Sequence, residues 1–200
     1  MQRIRTSLFA LLAASALAIV PLSTASAQST KAATPQVSVK TSMGEIVIEL
    51  YPDKAPKTVE NFLTYVKDGF YSGTIFHRVI NNFMIQGGGL NRDMSQKRNL
   101  RPPIQIESQN GLKNDIGWVA MARTSVPDSA TAQFFINTVE NRSLDFPAPD
   151  GHGYAVFGKV IKGMEVVNKI RQVPTIRNAG NADVPVDPVT IDSITLIAAK

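Results

Sequence analysis

Arg78, Phe83, Met84 and Gln86 fall within one short stretch, Ile75 to Gly89, which reads Ile-Phe-His-Arg-Val-Ile-Asn-Asn-Phe-Met-Ile-Gln-Gly-Gly-Gly. A guanidinium stays protonated at any workable pH, and its planar fork donates to carbonyl oxygens. An amide can hold a neighbouring polar group, while a thioether and an aromatic ring form an apolar surface. Two short apolar runs flank Asn81-Asn82, a pair suited to a tight turn because Asn tolerates positive φ. Strand alternation then puts Phe76, Arg78 and Ile80 on one face and His77 and Val79 on the other. In the second run Met84 and Gln86 share a face opposed by Phe83 and Ile85. The three glycines that follow let another part of the chain approach closely. Taken alone, the stretch is equally well an ordinary hairpin with an exposed arginine and core aromatics.

The surrounding elements decide where such a hairpin sits. Val37 to Lys40 and Glu45 to Tyr51 alternate around Ser42-Met43-Gly44, giving a hairpin with Ile46, Ile48 and Leu50 on one face. Asp53 and Pro56 mark a helix start. Val59, Phe62, Leu63 and Val66 then define the stripe of a helix from Pro56 to Lys67, with Gly69 as its stop. Asn91 to Pro103 reads as an exposed loop, and Ile104 to Ile106 as a short strand. Gly117 to Ala122 and Gln133 to Asn137 follow as strands. Gln133 and Phe135 share a face, opposed by Phe134 and Ile136. Asn141 to Gly153, rich in Pro, Gly and Asp, is a loop. Tyr154 to Val160 is a strand, Met164 to Ile170 a second helix, and Val189 to Ile197 a final strand. Many short strands with two helices predict a mainly β fold, a closed or nearly closed antiparallel barrel. A small barrel is filled by its own side chains, so a site must lie on its outer wall.

Composition narrows the chemistry. The chain has 200 residues, 44% hydrophobic and 18% charged, as one globular domain with a tail would have. Its net charge of +5 falls to +3 without Arg3 and Arg5, and no Lys/Arg block points to nucleic acid. The absence of cysteine excludes disulfides, thiolate metal sites and cysteine nucleophiles. With only His77 and His152, no metal centre is expected. Arg3 and Arg5 precede an uncharged run from Leu8 to Val20, and Ala25-Ser26-Ala27 follows. That order is the pattern of a secretory signal peptide over residues 1–27, cleaved after Ala27. The run is short for a membrane-crossing helix. A flexible leader (28–36) and one domain (37–200) would remain in the periplasm, without stable membrane association.

Phe76 to Ile80, Phe83 to Gly88, Gln133 to Ile136 and Val156 to Val160 together resemble the signatures of the cyclophilins. With the export signal, the chain looks most like the periplasmic bacterial members. The resemblance runs from about Val37 to Ile197. It implies a closed eight-stranded antiparallel β-barrel capped by two α-helices, and peptidyl-prolyl cis-trans isomerase activity on unfolded or partly folded proline-containing polypeptides. It implies a monomer and no cofactor. Arg78 would be the catalytic cation and Gln86 the amide that holds the substrate backbone. Phe83, Met84, Phe135 and Leu144 would line a proline pocket, with Ala122, Arg123, Gln133 and Tyr154 alongside. Arg123 stands where many relatives carry Asn. Ser143 stands where cyclosporin-sensitive members carry Trp, and Tyr154 where they carry His; both departures imply weak cyclosporin binding.

Other readings of single residues compete. His77 is better read as a packed histidine than as a general base. Gly87-Gly88-Gly89 is followed by neither Gly-Lys-Ser/Thr nor a helix, so it is not a phosphate loop. Asp145 and Asp150 read as loop residues rather than a catalytic pair. At the level of the whole chain, a peptide-binding chaperone and a structural barrel are the alternatives to an isomerase.

Overall fold

The computed structural model describes residues 34–198. The expected signal peptide and residues 28–33 of the leader lie outside them. Strands β1 (Gln36–Thr41) and β2 (Gly44–Leu50) form the first hairpin, and helix α1 (Pro56–Lys67) follows. Strands β3 (Thr74–Ile80) and β4 (Met84–Asn91) make the central hairpin, then come β5 (Trp118–Met121) and β6 (Phe134–Asn137). After a long loop come β7 (Val156–Lys162), α2 (Met164–Ile170), β8 (Thr175–Asn178), β9 (Asn181–Pro185) and β10 (Val189–Ile197). Eight strands close into an antiparallel barrel in the order β1-β10-β3-β4-β6-β5-β7-β2.

Helix α1 ends as its glycine predicts. Gly69 takes a φ of 65°; its N–H donates to Val66 and that of Phe70 to Tyr65. This paired closure brings the Tyr65 and Phe70 rings to 4.6 Å. The start differs from expectation. Pro56 does begin the helix after Ala55, but no local side chain caps it and its first turn has no acidic residue. Glu107 does so instead, accepting N–H donation from Lys57 (3.1 Å) and Thr58 (2.8 Å) and placing a carboxylate at the positive end of the helix.

Strand alternation sorts the apolar residues into two clusters. Ile85, Val119, Met121, Phe134 and Ile136 fill the barrel together with Phe62 of α1. Met84, Ala120, Phe135 and Val156 point outward, where Leu144 covers them. The outer cluster is the base of the site.

Two expectations about strands need correction, and one hairpin is additional to them. Phe76 does not share a face with Arg78 and Ile80: it is fully buried in the barrel core with Val79. Pairing shifts between Phe76↔Gly87 and Arg78↔Gln86, so His77 occupies a β-bulge that resets the alternation. The span Ile104 to Ile106 is reduced to a single bridge, Ile104 with Ala130. The hairpin β8–β9 was not foreseen; its two central residues, Ala179 and Gly180, have φ of 47° and 79°.

Candidate active site

The register of the barrel aligns the chemistry. Arg78 pairs with Gln86, Gln86 with Phe135, Phe135 with Ala120, and Ala120 with Val156. Cation, amide and aromatic ring therefore stand side by side across β3, β4 and β6, at the spacing of neighbouring strands. The turn beside them forms with an N–H donated by Phe83 to Ile80 at 3.0 Å. Neither Asn81 nor Asn82 adopts a positive φ. What Asn81 supplies is its carbonyl, which accepts from Thr138 Oγ1 (2.9 Å) and Arg171 Nη1 (3.1 Å). Phe83 belongs to the turn rather than to β4, so alternation does not govern it, and it joins Met84 instead of opposing it.

All the expected site residues except Gln133 line one cavity of about 100 Å³. Met84, Phe135 and Leu144 form its buried apolar floor. Arg78 lies 5.9 Å from the centre of the Phe83 ring, and among the described residues it has no ion pair or side-chain hydrogen bond. Its donors are left for a ligand. Gln133 stands behind Gln86, accepting from its Nε2 at 2.9 Å and so fixing which end of that amide faces the cavity. Gly89 makes this possible: a Cβ there would lie 2.3 Å from Gln133 Cγ.

His77 does not line the cavity. It is 6% exposed, and its Nδ1 has no partner. Burial pushes its pKa down to about 4; an Ile75 backbone contact raises it and the charge of Arg78 lowers it further. The imidazole is neutral at neutral pH and out of reach of a ligand.

The loop wall is held by groups that sequence reading passed over. Asn141 Nδ2 donates to the Phe83 carbonyl (2.8 Å) and to Asn137 Oδ1 (2.7 Å). Asn137 in turn donates to Asn114 (3.2 Å) and to the Trp118 carbonyl (3.0 Å). Asp145, read as a loop residue, is buried and accepts from the Asn114 N–H at 2.8 Å. This chain of buried, paired amides ties the 114, 137 and 141–145 segments together. Their only sequence signal is amides flanking apolar strands. Asp150 is not a catalytic partner of Asp145; it pairs with Arg123.

Comparison with known proteins places the chain in one family. The family model for cyclophilin type peptidyl-prolyl cis-trans isomerase/CLD matches residues 36–196. The chain is 56% identical over 163 residues to peptidyl-prolyl cis-trans isomerase cyp18 of Streptomyces antibioticus, covering 80% of this chain and 98% of that one. It is 54% identical over 162 residues to peptidyl-prolyl cis-trans isomerase B of Escherichia coli, with the same coverage. A crystal structure of a cyclophilin type isomerase from Cryptosporidium parvum superposes with a TM-score of 0.69 at 28% identity. That match covers 84% of this chain and 99% of that one.

Proposed function

The chain belongs to the cyclophilin-type peptidyl-prolyl cis-trans isomerases, and we propose that it accelerates X-Pro rotation in exported polypeptides, through Arg78 and the cavity beside it. The peptide C–N bond resists rotation by about 18–20 kcal/mol because its nitrogen lone pair is conjugated. At a prolyl bond both isomers lie within about 1 kcal/mol, yet they exchange over tens of seconds or more. Rotation breaks no bond and needs no nucleophile; it needs the lone pair drawn out of conjugation. A guanidinium near the prolyl nitrogen stabilises the twisted, pyramidal state more than the planar one, and only that difference accelerates the step. Lowering the barrier by about 6 kcal/mol gives roughly 10⁴-fold acceleration.

The other residues confine the twist to one bond. Met84, Phe135 and Leu144 hold the proline ring, and Gln86, oriented by Gln133, holds a neighbouring backbone group. The observation that carries this reading is Arg78, its side chain unpaired among the described residues, standing in register with Gln86 beside the apolar floor of the cavity. A protease-coupled isomerisation assay on a proline tetrapeptide tests it. The expected result is activity that Arg78→Ala removes; a folded Arg78→Ala at the parental rate would take Arg78 out of the mechanism.

The place of action rests on Arg3, Arg5, the Leu8 to Val20 run and Ala25-Ser26-Ala27. Protein recovered from the periplasm should have the intact mass of a chain starting at Gln28 and should elute as a monomer. Recovery of the uncleaved chain in the membrane fraction alone would overturn the export proposal.

A further inference from the structure

Arg123 follows β5 and faces the cavity, but its side chain is only 2% exposed. Its Nε donates to the Gly153 carbonyl (2.9 Å) and Nη1 to the Thr124 carbonyl (2.9 Å). Nη2 donates to both oxygens of Asp150 at 2.8 Å. The guanidinium carbon lies 4.5 Å from the centre of the Tyr154 ring. That ring in turn stands edge-on to Phe135, with centroids 5.6 Å apart at 80°. Tyr154 also donates its backbone N–H to the Leu144 carbonyl at 3.0 Å. One side chain thus fastens both ends of the Asp150–Tyr154 segment and backs the aromatic wall of the cavity. An exposed ion pair would contribute little, but here the cation is enclosed, multiply bonded and stacked.

We infer that Arg123 and Asp150 form a clamp that fixes Tyr154 against Phe135 and so sets the shape of the proline pocket. Arg123 is a positioning residue, not a second catalytic cation. Its donors are directed to the loop, and the Asp150 carboxylate offsets its charge, leaving Arg78 to meet the substrate. Loosening the clamp lets Tyr154 swing away from Phe135 and weakens ring binding in ground state and transition state alike. The effect falls on KM. The inference rests on the isomerase reading of the cavity.

The test is steady-state isomerisation of a proline tetrapeptide by the parent, Arg123→Ala, Asp150→Asn, the double variant and Arg123→Lys, each with a thermal melt. Arg123→Ala should raise KM about tenfold with kcat within about threefold of the parent. Asp150→Asn, at an exposed carboxylate, should raise KM in the same direction. The double variant should be no worse than Arg123→Ala, because the two residues act as a unit. Arg123→Lys should recover part of the loss, since an ammonium can pair with Asp150 but cannot also hold the Gly153 carbonyl and stack on Tyr154. If Arg123→Ala does not fold, Asp150→Asn decides. An unchanged KM in folded Asp150→Asn, additive effects in the double variant, or a fall in kcat at constant KM would each overturn the clamp. An inactive parent would instead sink the isomerase reading itself.

Discussion

Arg78 and Arg123 face the same cavity from β3 and from just beyond β5, with β4 and β6 between them in the barrel. The Arg78 side chain has no hydrogen-bond or ion-pair partner among the described residues, whereas that of Arg123 makes four hydrogen bonds and stacks on a ring. The same side-chain chemistry is thereby divided between two tasks. A cation with free donors can respond to charge that develops during rotation; a cation whose donors are satisfied holds its surroundings still. The walls differ in the same sense. The strand wall of β3, β4 and β6 is fixed by backbone register, while the loop wall at 141–154 is fixed by side chains.

The largest effect should come from Arg78→Ala, with kcat/KM falling about 10²–10³-fold, as for loss of one preorganised transition-state donor. Most of the fall should be in kcat, with an unchanged melt. Arg78→Lys keeps the charge but loses the fork and should recover only part. If Arg123→Ala produced the same kcat loss, the division of tasks would fail.

The neighbour of Arg78 supplies the next test. His77 has a folded pKa near 4, below its reference value of about 6.5. As pH falls below 6.5 the unfolded chain takes up this proton before the folded one does, so stability drops until about pH 4 and then levels. The expected loss across that window is about 3 kcal/mol, and at pH 7 it is absent. Denaturant midpoints at pH 7.5 and 4.5 for the parent and His77→Phe should differ in slope, the variant losing less. The isomerisation rate should stay nearly flat from pH 6 to 8. A titration in that range abolished in His77→Phe would return a catalytic role to the histidine.

The loop wall should yield stability before chemistry. Asn141→Ala removes donors to Phe83 and Asn137 and leaves buried acceptors unpaired. A cost of about 1–3 kcal/mol in chemical denaturation is expected. A loss below about 0.5 kcal/mol would show that the amide chain does not hold this wall.

The smallest effect is expected from Gly89→Ala, on the strand wall. The new methyl would collide with Gln133, which must move and release the Gln86 amide. About a tenfold loss of kcat/KM, or roughly 1.4 kcal/mol, should follow, with Gln133→Ala giving a similar loss. Full activity in both would mean that Gln86 orients itself without help.

Local pattern in the sequence was enough for the two helices, the first hairpin, β10 and the outward row Met84, Gln86 and Phe135. Each rests on a period of 3.6 or 2 read over neighbouring residues, and burial of one face enforces that period. The family signatures named the pocket residues, but spacing alone left them equally well as core. Four features had no local signal. The bulge at His77 resets alternation through pairing with β4, so Phe76 turns inward. Glu107 caps a helix whose Lys57 lies 50 residues away in sequence. The Ala179–Gly180 turn of β8–β9 joins strands with little apolar alternation to reveal them. Arg123 reads as an ordinary polar loop residue until folding brings Asp150, Gly153 and Tyr154 around it. The sequence determined which side chains the site contains. Which arginine stays free was decided only by tertiary structure, because a hydrogen-bond partner 27 residues distant is set by how the barrel closes.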